Sequence, residues 1–435
     1  MSIWKEESFE DKTYDEVESF FNIHELKEED ETLALDIIDS LRDKNILVVE
    51  KDDNNYGYLI PLLYASKDKE TFKGFLISTA TIFLQNKLKE EIDKLSKLID
   101  VDIPVTIAKG HVNYVCMKRL EKYLRSHQEN KTLNEISKKI GKEMIDKKDY
   151  PSISNEIWTN INININGESC KKCLYRDECK YYLNRRSWPS ASYVICTHEL
   201  LVASLKRKDN PMFKDPSLLI VDEASILKEK VSNSYEGYIT KNMLKSIINE
   251  ISYIIGDKEL GEEIVNIIES FYDKLGTLIK SKYMSEDNNC KIYSKEVINT
   301  LKDDILLLFN SLSNFRKELG FYQNSGDLIY LKKLLKKYTN ILYDMVGKGS
   351  KHIYYFHFQP NSKNSISIKY GRKDIYSLSA SLFANNKYGK VFTDSNMIVD
   401  NDDYKAFIES LGLDKIDNIE IVKEYPLGKS KVKNK

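Results

Sequence analysis

Residues 218–225 have the sequence LLIVDEAS, in which a short apolar run is followed by two acidic residues. Runs of the same kind occur at residues 45–50, 74–79 and 193–197, and segments of helical pattern lie between them. Short strands that are apolar throughout and alternate with helices predict a parallel sheet covered on both faces. The chain is therefore predicted to have an α/β fold.

The stretch from about residue 228 to 350 has a different pattern. Its apolar residues cluster at helical spacing, as in residues 247–251, 264–268 and 305–309. It carries no clear strand-type signal, so we predict a helical insertion. From about residue 352 to 393 the pattern becomes strand-like again, which predicts further strands.

The composition limits the classes of function. The 435 residues are 41% hydrophobic and 31% charged with a net charge of −1, so a nucleic-acid surface could only be a local basic patch. No apolar run approaches the roughly 18 to 20 residues of a membrane span. Residues 1–7 lack the apolar core of a signal peptide. We expect a cytoplasmic protein without a membrane partner, in which clustered cysteines favour metal binding over disulfides.

Four cysteines lie between the second and fourth predicted strands: Cys116, Cys170, Cys173 and Cys179. A Cys-x2-Cys-x5-Cys run with one distant cysteine supplies four soft thiolates, the ligand set of a [4Fe–4S] cluster. A structural zinc ion could be held by the same four thiolates, and the spacing does not distinguish the two. A third interpretation is that the thiols are buried and bind nothing.

Several spaced segments together resemble the iron–sulfur superfamily 2 DNA helicases of the XPD/DinG type. The resemblance covers roughly residues 25–425 and is carried by the ordered set of segments, whereas the helical insertion matches the family's Arch domain by position only. The segments are residues 27–34 (nucleotide-sensing helix), 77–85 (motif Ia), 109–116 (entry into the cluster domain), 195–201 (Thr-Asn-His-x-Leu-Leu segment), 222–225 (DEAH box) and 391–397 (Thr-Ser-Ala-Thr-Leu segment).

The resemblance implies a single RecA-like parallel-sheet domain interrupted by an Fe–S cluster domain and a helical Arch-like domain. It also implies that the four cysteines hold a [4Fe–4S] cluster, with zinc as the alternative. The implied boundaries are 1–105 for the first part of RecA-like domain 1, 106–190 for the Fe–S cluster domain, 191–228 for the DEAH-type strand of RecA-like domain 1, 229–375 for the Arch-like domain, and 376–435 for the last part of RecA-like domain 1 and the tail.

The family's phosphate-binding loop has no counterpart here. In the family, a Gly-rich loop ending in Gly-Lys-Thr/Ser cradles the phosphates and helps to hold Mg²⁺. The matching interval, residues 50–61, has one glycine and lacks the Lys-Thr/Ser pair. It carries Asp52 and Asp53, whose charge would repel phosphate, and Asp30 stands at the family's glutamine. Binding of ATP and Mg²⁺ is therefore not expected.

Asp222 and Glu223 would be the Mg²⁺ ligand and the water-activating base in an active member of the family. The alternative, which we favour without the phosphate loop, is an acidic strand end that serves no nucleotide. The family also continues past the last segment into a second RecA-like domain, whereas this chain ends at residue 435. Independent helicase activity is thus not expected, and a protein partner would have to supply further domains.

A basic and aromatic segment could bind single-stranded nucleic acid, above all single-stranded DNA. A basic groove with aromatic side chains is the usual requirement, and the alternative is a solvated helix face beside a metal site. The resemblance to motif Ia adds Thr79 and Thr81 as contacts to the DNA backbone. The basic and aromatic candidates are Lys172, Arg176, Tyr182, Arg185 and Arg186.

Three hypotheses for function follow. The first is a helicase-like Fe–S protein that binds single-stranded nucleic acid or acts as a scaffold subunit without ATPase activity. The second is half of a split ATP-dependent 5′–3′ DNA helicase completed by a partner chain. The third is a DNA-independent protein-interaction subunit of a defence complex.

Overall fold

The structure is a computed structural model, and it forms two compact units. The first takes its described residues from Met1–Asn164, Leu174–Ser234 and Tyr376–Lys435, and the second from Ile165–Cys173 and Tyr235–Ile375. The described residues are 8–51, 54–163, 170, 173–283, 290–292, 295–322, 326–347, 349–358, 366–395, 397, 404–417 and 419–423.

Strands and helices alternate along most of the chain. The strands are β1 (Ile46–Glu50), β2 (Phe75–Thr79), β3 (Val105–Ala108), β4 (Tyr193–Thr197), β5 (Leu218–Asp222), β6 (Gly237–Thr240), β7 (Cys290–Ile292), β8 (His352–Phe358), β9 (Ile366–Arg372), β10 (Gly389–Asp394) and β11 (Ile421–Lys423). The helices are α1 (Phe9–Ile23), α2 (Glu28–Asp43), α3 (Tyr56–Ala65), α4 (Ile82–Ile99), α5 (Met117–Leu124), α6 (Lys131–Lys139), α7 (Asn155–Ile161), α8 (Lys180–Ser187), α9 (His198–Leu205), α10 (Leu227–Tyr235), α11 (Lys241–Ile255), α12 (Lys258–Tyr283), α13 (Lys295–Thr300), α14 (Lys302–Glu318), α15 (Gly326–Val346), α16 (Ile375–Phe383) and α17 (Lys405–Leu411). Among the described helices, none is both long and apolar enough to cross a bilayer.

The first unit is built on a seven-stranded sheet in the order β11-β1-β10-β5-β2-β4-β3. Every pairing in it is parallel. All residues of β1, β2, β4 and β5 are buried, which explains why these strands are mostly apolar, with polar residues at their carboxyl ends, instead of alternating. The predicted α/β fold with a parallel sheet and inserted segments is confirmed.

Strand β10 lies close against helix α2. A Cβ atom on Gly389 would lie 2.3 Å from the carbonyl oxygen of Ser40 and 2.7 Å from the Cδ1 atom of Leu218. No side chain fits at this position, so the close approach of helix and strand requires glycine. In the sheet, β10 lies between β1 and the central strand β5.

The carboxyl ends of the central parallel strands meet at one edge of the sheet. Glu50 at the end of β1 pairs in register with Asp394 at the end of β10, and Thr393 of β10 pairs with Asp222 at the end of β5. Ligands of open α/β sheets bind outside the carboxyl ends of the strands. A nucleotide would therefore be expected to bind at this edge of the sheet.

The part of the first unit that contains Cys116 has a small apolar core of its own. Helices α5, α6 and α7 contribute to it, and bridges from Tyr114 to Asp146 and from Val115 to Asn162 close the chain around it. Its buried residues are Val115, Leu120, Leu133, Ile136, Ile140, Ile145, Ile153, Trp158 and Ile161.

The second unit combines helices α11 to α15 with a four-stranded sheet in the order β6-β9-β8-β7. All pairings in this sheet are antiparallel. The prediction of a helical insertion without strands was wrong for Gly237–Thr240 and Cys290–Ile292. These strands have only four and three residues, too few to display an alternating pattern, and their partners β8 and β9 follow in the chain. The strand-like pattern predicted after residue 352 is confirmed by β8, β9 and β10.

Candidate functional site

Asp222 is the central side chain at the carboxyl edge of the parallel sheet. Its Oδ2 accepts a hydrogen bond of 2.9 Å from the hydroxyl of Tyr58. Its Oδ1 lies 3.4 Å from the ammonium nitrogen of Lys51, and the side chains of this ion pair are only 7% and 9% exposed. Both oxygens of the carboxylate that would ligate Mg²⁺ are thus engaged by groups of the chain itself.

Lys51 follows β1 directly, at the start of the interval that replaces the phosphate-binding loop. An ammonium group has three hydrogen atoms to donate. Besides the carboxylate of Asp222, the Lys51 Nζ atom contacts the carbonyl oxygen of Asn54 at 3.4 Å and the Oδ1 of Asn55 at 3.1 Å. The positive charge is therefore directed into the protein and stabilises a buried carboxylate.

The end of the interval is attached to its surroundings by two asparagine side chains. The amide of Asn54 donates to Asp30 Oδ2 at 2.8 Å, and the amide of Asn55 donates to Glu91 Oε2 at 2.6 Å. Asn54 also accepts from the backbone N–H of Tyr56, where α3 begins. Asp30, which stands at the position of the family's glutamine, thus anchors the end of the interval through Asn54. Asp52 and Asp53 lie outside the described residues.

Glu223 follows Asp222 in a left-handed backbone conformation with a φ of 57°. Its Oε2 accepts a hydrogen bond of 3.2 Å from the backbone N–H of Ala80, just after β2. Burial, and next the negative charge of Asp222, raise the pKa of the Glu223 carboxyl above its usual range. The group is therefore easier to protonate than an ordinary glutamate.

A buried histidine connects three segments behind these carboxylates. The ring of His198 is fully buried; its Nδ1 lies 2.7 Å from the Ser78 hydroxyl and its Nε2 lies 3.3 Å from the Glu223 carbonyl oxygen. A carbonyl oxygen only accepts, so Nε2 carries the proton and Nδ1 accepts from Ser78. Burial lowers the pKa of His198 to about 4, which keeps the ring neutral at pH 7.

The net charge of the edge is unfavourable for phosphate. Asp394 accepts from both the backbone N–H and the hydroxyl of Ser225, at 3.0 and 2.5 Å. Glu50 is buried, and its Oε2 has no hydrogen-bond partner in the part of the chain that the structure describes. Together with Asp222 and Glu223 these groups place four carboxyls beside one ammonium group, so a polyphosphate approaching without a cation would be repelled.

The four predicted metal ligands are all partly exposed and free of disulfide bonds. Cys116 precedes α5, and its backbone N–H donates to the Ile161 carbonyl oxygen at 2.8 Å. Cys179 precedes α8, and the backbone N–H of Cys173 donates to the carbonyl oxygen of Cys170. Across the described ranges, no three His, Cys, Asp or Glu side chains form a group that could hold a metal ion. The four-thiolate site stays a prediction.

The segment after Cys179 packs part of its predicted nucleic-acid side chains into the protein. The guanidinium of Arg185 lies 5.2 Å from the centre of the Trp188 ring and 3.2 Å from the Tyr181 hydroxyl. Tyr181 and Trp188 are themselves buried, so neither ring is open to a base. Arg185 therefore has a packing role in this segment.

The other nucleic-acid candidates are more open to solvent. Arg186 is exposed and Tyr182 is half-buried, whereas Arg176 is exposed and pairs with Asp177 at 3.0 Å. Lys172 lies outside the described residues.

The two threonines of the motif Ia segment shape the turn into α4. Thr79 is buried and its hydroxyl donates to the carbonyl oxygen of Thr81. Thr81 is exposed and caps α4 by accepting from the backbone N–H of Leu84.

Sequence reasoning found Asp222 and Glu223 but missed Lys51, Tyr58 and His198. Lys51 could have been found as the first residue after β1, at the strand edge where ligands bind. His198 directly follows the apolar strand β4, which is the signal that could have drawn attention to it. The contact from Tyr58 has no local sequence signal, because the two residues are 164 positions apart.

Comparison with known proteins gives relatives over part of the chain, although no family model matches. The Bacillus subtilis (strain 168) protein named "Probable ATP-dependent helicase YpvA" is 24% identical over 268 residues, 56% of this chain and 41% of the relative. "ATP-dependent DNA helicase DinG" of Escherichia coli (strain K12) is 24% identical over 204 residues, 41% of this chain and 28% of the relative. "ATP-dependent DNA helicase YoaA" of the same strain is 24% identical over 250 residues, 52% and 37%. The chain thus spans less than half the length of these relatives.

Two solved structures align with this chain. A chain titled "XPD_Helicase" aligns with a TM-score of 0.46 and 15% identity, covering 92% of this chain and 62% of the other. A chain titled "Truncated XPD" aligns with a TM-score of 0.44 and 13% identity, covering 90% and 99%.

Proposed function

We propose that this chain is a helicase-like protein without ATPase activity of its own. Over part of its length it is a member of the XPD/DinG-type superfamily 2 helicases. In this proposal it binds single-stranded nucleic acid or acts as a scaffold subunit. One observation carries the proposal: Asp222 is held by Lys51 and Tyr58, at the place where an active helicase would hold Mg²⁺ and phosphates.

The physical reason lies in the ligands that a nucleotide would need. Mg²⁺ is bound through carboxylates together with substrate phosphates, and both oxygens of Asp222 already have partners in the chain. Lys51 could serve phosphate only by leaving a buried carboxylate and two further acceptors. Nucleotide binding would therefore have to offset the loss of a buried ion pair.

A titration of the full chain with ATP tests the absence of nucleotide binding. We expect no Mg²⁺-dependent binding by calorimetry up to millimolar ATP. Binding in the micromolar range that requires Mg²⁺ and disappears in Asp222→Ala would overturn the proposal. Binding that persists in Asp222→Ala would place the nucleotide elsewhere and leave this edge of the sheet without a nucleotide role.

The second candidate function is half of a split ATP-dependent 5′–3′ DNA helicase. It is favoured by Glu223, whose side chain remains beside Asp222 and whose raised pKa suits a group that accepts a proton. A partner chain would then have to displace Lys51 from Asp222. ATP hydrolysis that appears only on adding that partner, and is lost in Glu223→Gln, would favour this function over the first.

Binding of single-stranded DNA is proposed for the exposed basic side chains near Cys179. We expect Arg176→Glu with Arg186→Glu to weaken binding of an oligodeoxynucleotide and to reduce the salt dependence, by about 0.7 in log–log slope for each lost phosphate contact. Arg185 is left unchanged because it packs on Trp188. The matched control is Arg207→Glu with Lys208→Glu, which makes the same charge change on exposed residues.

The DNA-binding measurement also tests the third hypothesis, a DNA-independent protein-interaction subunit. Equal weakening by both double variants would indicate a general charge effect. No binding by the unchanged chain would favour a DNA-independent protein-interaction subunit, for example of a defence complex.

We further propose that Cys116, Cys170, Cys173 and Cys179 hold a [4Fe–4S] cluster, with zinc as the alternative. Four thiols that are partly exposed and not in disulfides support this, because thiolates are the ligands that both groups prefer. When bound, the cluster would tie these cysteines together. Protein purified without oxygen should contain iron and absorb broadly in the visible range, and Cys116→Ser should lose both properties.

The matched control for the metal measurement is Cys196→Ala. Cys196 is a fully buried thiol of β4 whose pKa is raised by burial to about 12, so it is a poor metal ligand. Its variant should keep the full metal content. Zinc without colour would decide for the alternative, and protein that carries neither metal after anaerobic purification would contradict the proposal.

A further inference from the structure

The second unit contains a large cavity that the proposed function does not use. It has a volume of about 910 Å³ and lies between α13, the start of α14, the end of α15 and β8. Small-molecule sites in proteins are typically about 300 to 1,000 Å³. The cavity is therefore large enough for a ligand of nucleotide size.

The charge of its lining is one-sided. Three lysines, Lys295, Lys302 and Lys373, line the cavity, and no aspartate or glutamate is among its described lining residues. Lys373 donates to the carbonyl oxygen of Ser350 at 2.9 Å, which holds its ammonium group at the wall. Within the described residues, neither Lys295 nor Lys302 forms an ion pair. Three cationic side chains thus line one space, which favours an anionic group within it.

The carboxylate of Asp344 fixes the part of the wall that contains Ser350, the hydrogen-bond partner of Lys373. Asp344 accepts hydrogen bonds from Ser350 at 2.6 Å, from Tyr354 at 2.6 Å and from His352 at 2.9 Å. Hydrogen bonds from these three side chains hold the pKa of Asp344 at about 2 despite its partial burial, so the group is ionised. Asp344 is not among the lining residues, and its hydrogen bonds to three of them order the wall.

The rest of the lining is largely apolar. Ile298, Met345, Val346 and Ile353 contribute aliphatic surface, and the lining also includes the amide side chain of Asn299. Sites for small molecules combine such apolar walls with a few polar groups that fix orientation. Three lysines beside this aliphatic surface favour a ligand with a highly charged end and a less polar body.

We propose that this cavity binds a phosphate monoester attached to such a body, of the kind presented by a mononucleotide or by the phosphorylated 5′ end of a nucleic-acid strand. A phosphate monoester carries a charge of about −1.5 to −2 at pH 7, which distinguishes it from a carboxylate. Lysine binds phosphate as a point charge without demanding one geometry. The inference does not depend on the proposed function, because all lining residues belong to the second unit.

Calorimetry of the full chain with AMP and with adenosine tests the role of the phosphate. We expect AMP to bind and adenosine to bind at least about tenfold more weakly, since the ammonium groups act only on the phosphate. Two short oligodeoxynucleotides, with a 5′-phosphate and with a 5′-hydroxyl, form the second arm. Binding of AMP identifies a free nucleotide as sufficient. Tighter binding of the 5′-phosphorylated strand than of the 5′-hydroxyl strand, without binding of AMP, identifies a strand end; both results support a phosphate monoester.

The variants locate the site. Lys295→Glu with Lys302→Glu should lower the affinity for the bound probe at least about tenfold. Each of these residues is the first of its helix, where a negative charge is favourable, so the helices should be retained. The matched control, Lys333→Glu with Lys336→Glu, changes the same charge on exposed residues of α15 and should bind normally. Lys302→Gln, which should weaken binding less, gives a second reading if the double variant does not fold.

Three results would overturn the inference. One is that AMP does not bind at millimolar concentration and that a 5′-phosphate does not strengthen binding of the strand. Another is that adenosine binds as well as AMP. The last is that the variants of the cavity and of α15 lose affinity equally, because that would indicate a general charge effect.

Discussion

Replacing Lys51 by methionine tests whether the edge of the parallel sheet is held by an internal cation. Methionine keeps much of the aliphatic length of lysine and removes the charge together with the hydrogen-bond donors to Asn54 and Asn55. The ion pair with Asp222 joins atoms 3.4 Å apart, and its side chains are 7% and 9% exposed. At the effective dielectric constant of about 20 that suits such sites, the attraction is about 5 kcal/mol.

The net effect is smaller than this attraction, because both charges lost hydration on folding. Removal of one partner of a buried pair typically costs about 3 to 5 kcal/mol, since the other charge remains buried. Asp222 would keep its hydrogen bond from Tyr58, which favours the lower end of this range. We therefore expect Lys51→Met to lower the free energy of unfolding of the first unit by about 3 kcal/mol.

Urea unfolding of four proteins provides the assay: the unchanged chain, Lys51→Met, Asp222→Asn and the double variant. The double variant removes both charges of the pair, so its loss should be smaller than the sum of the single losses by about 2 to 3 kcal/mol. Lys387→Met serves as the control. Lys387 pairs with Asp215 at 3.0 Å, but these side chains are 69% and 53% exposed, and such pairs contribute at most about 1 kcal/mol.

Two results would refute this reasoning. If Lys51→Met were no more destabilised than Lys387→Met, the buried pair would not stabilise the edge. If the two single losses were simply additive in the double variant, Lys51 and Asp222 would act independently. A gain of Mg²⁺-dependent ATP binding in Lys51→Met would instead extend the idea, since it would identify Lys51 as the group that occupies the site.

Two further predictions concern stability. The folded-state pKa of His198, about 4, lies below the ordinary value of 6.5, so the stability that the neutral ring contributes is present above pH 6.5 and is lost as the pH falls toward 4. This loss of about 3 kcal/mol should be absent from the pH dependence of urea unfolding in His198→Gln. An unchanged pH dependence would contradict the burial of a neutral ring. Gly389→Ala should lower the free energy of unfolding by about 1 to 3 kcal/mol in the same assay, because its Cβ would overlap the Ser40 carbonyl oxygen. The control Gly141→Ala should be tolerated, because its Cβ would meet only Met117 at 3.9 Å. Equal effects of the two substitutions would argue against the close contact of α2 and β10.

The sheet could be predicted from sequence because its strands are buried on both faces. The strands β1, β2, β4 and β5 each begin with a continuous apolar run, a pattern typical of a covered parallel sheet. Strands β6 and β7 escaped prediction for the opposite reason. They are short and gain their hydrogen bonds from β9 and β8, which lie far along the chain.

The candidate site was predictable only in part. Asp222 and Glu223 stand out because two acids end an apolar strand. The partners of Asp222 depend on how Lys51 and Tyr58 are brought to β5 by the sheet and by α3, and this is a property of tertiary packing. The aromatic side chains near Arg185 illustrate the same limit, since sequence alone does not separate the buried Trp188 from the half-buried Tyr182.

The small apolar core between Val115 and Ile161 bears on when a metal could enter the protein. Nine buried side chains already hold this part together without any metal. If the proposed cluster is present, folding around Cys116 would precede its delivery, and chain made when iron is short would be folded but colourless. The supply of the inorganic group, and not the completion of folding, would in that case limit the amount of finished protein.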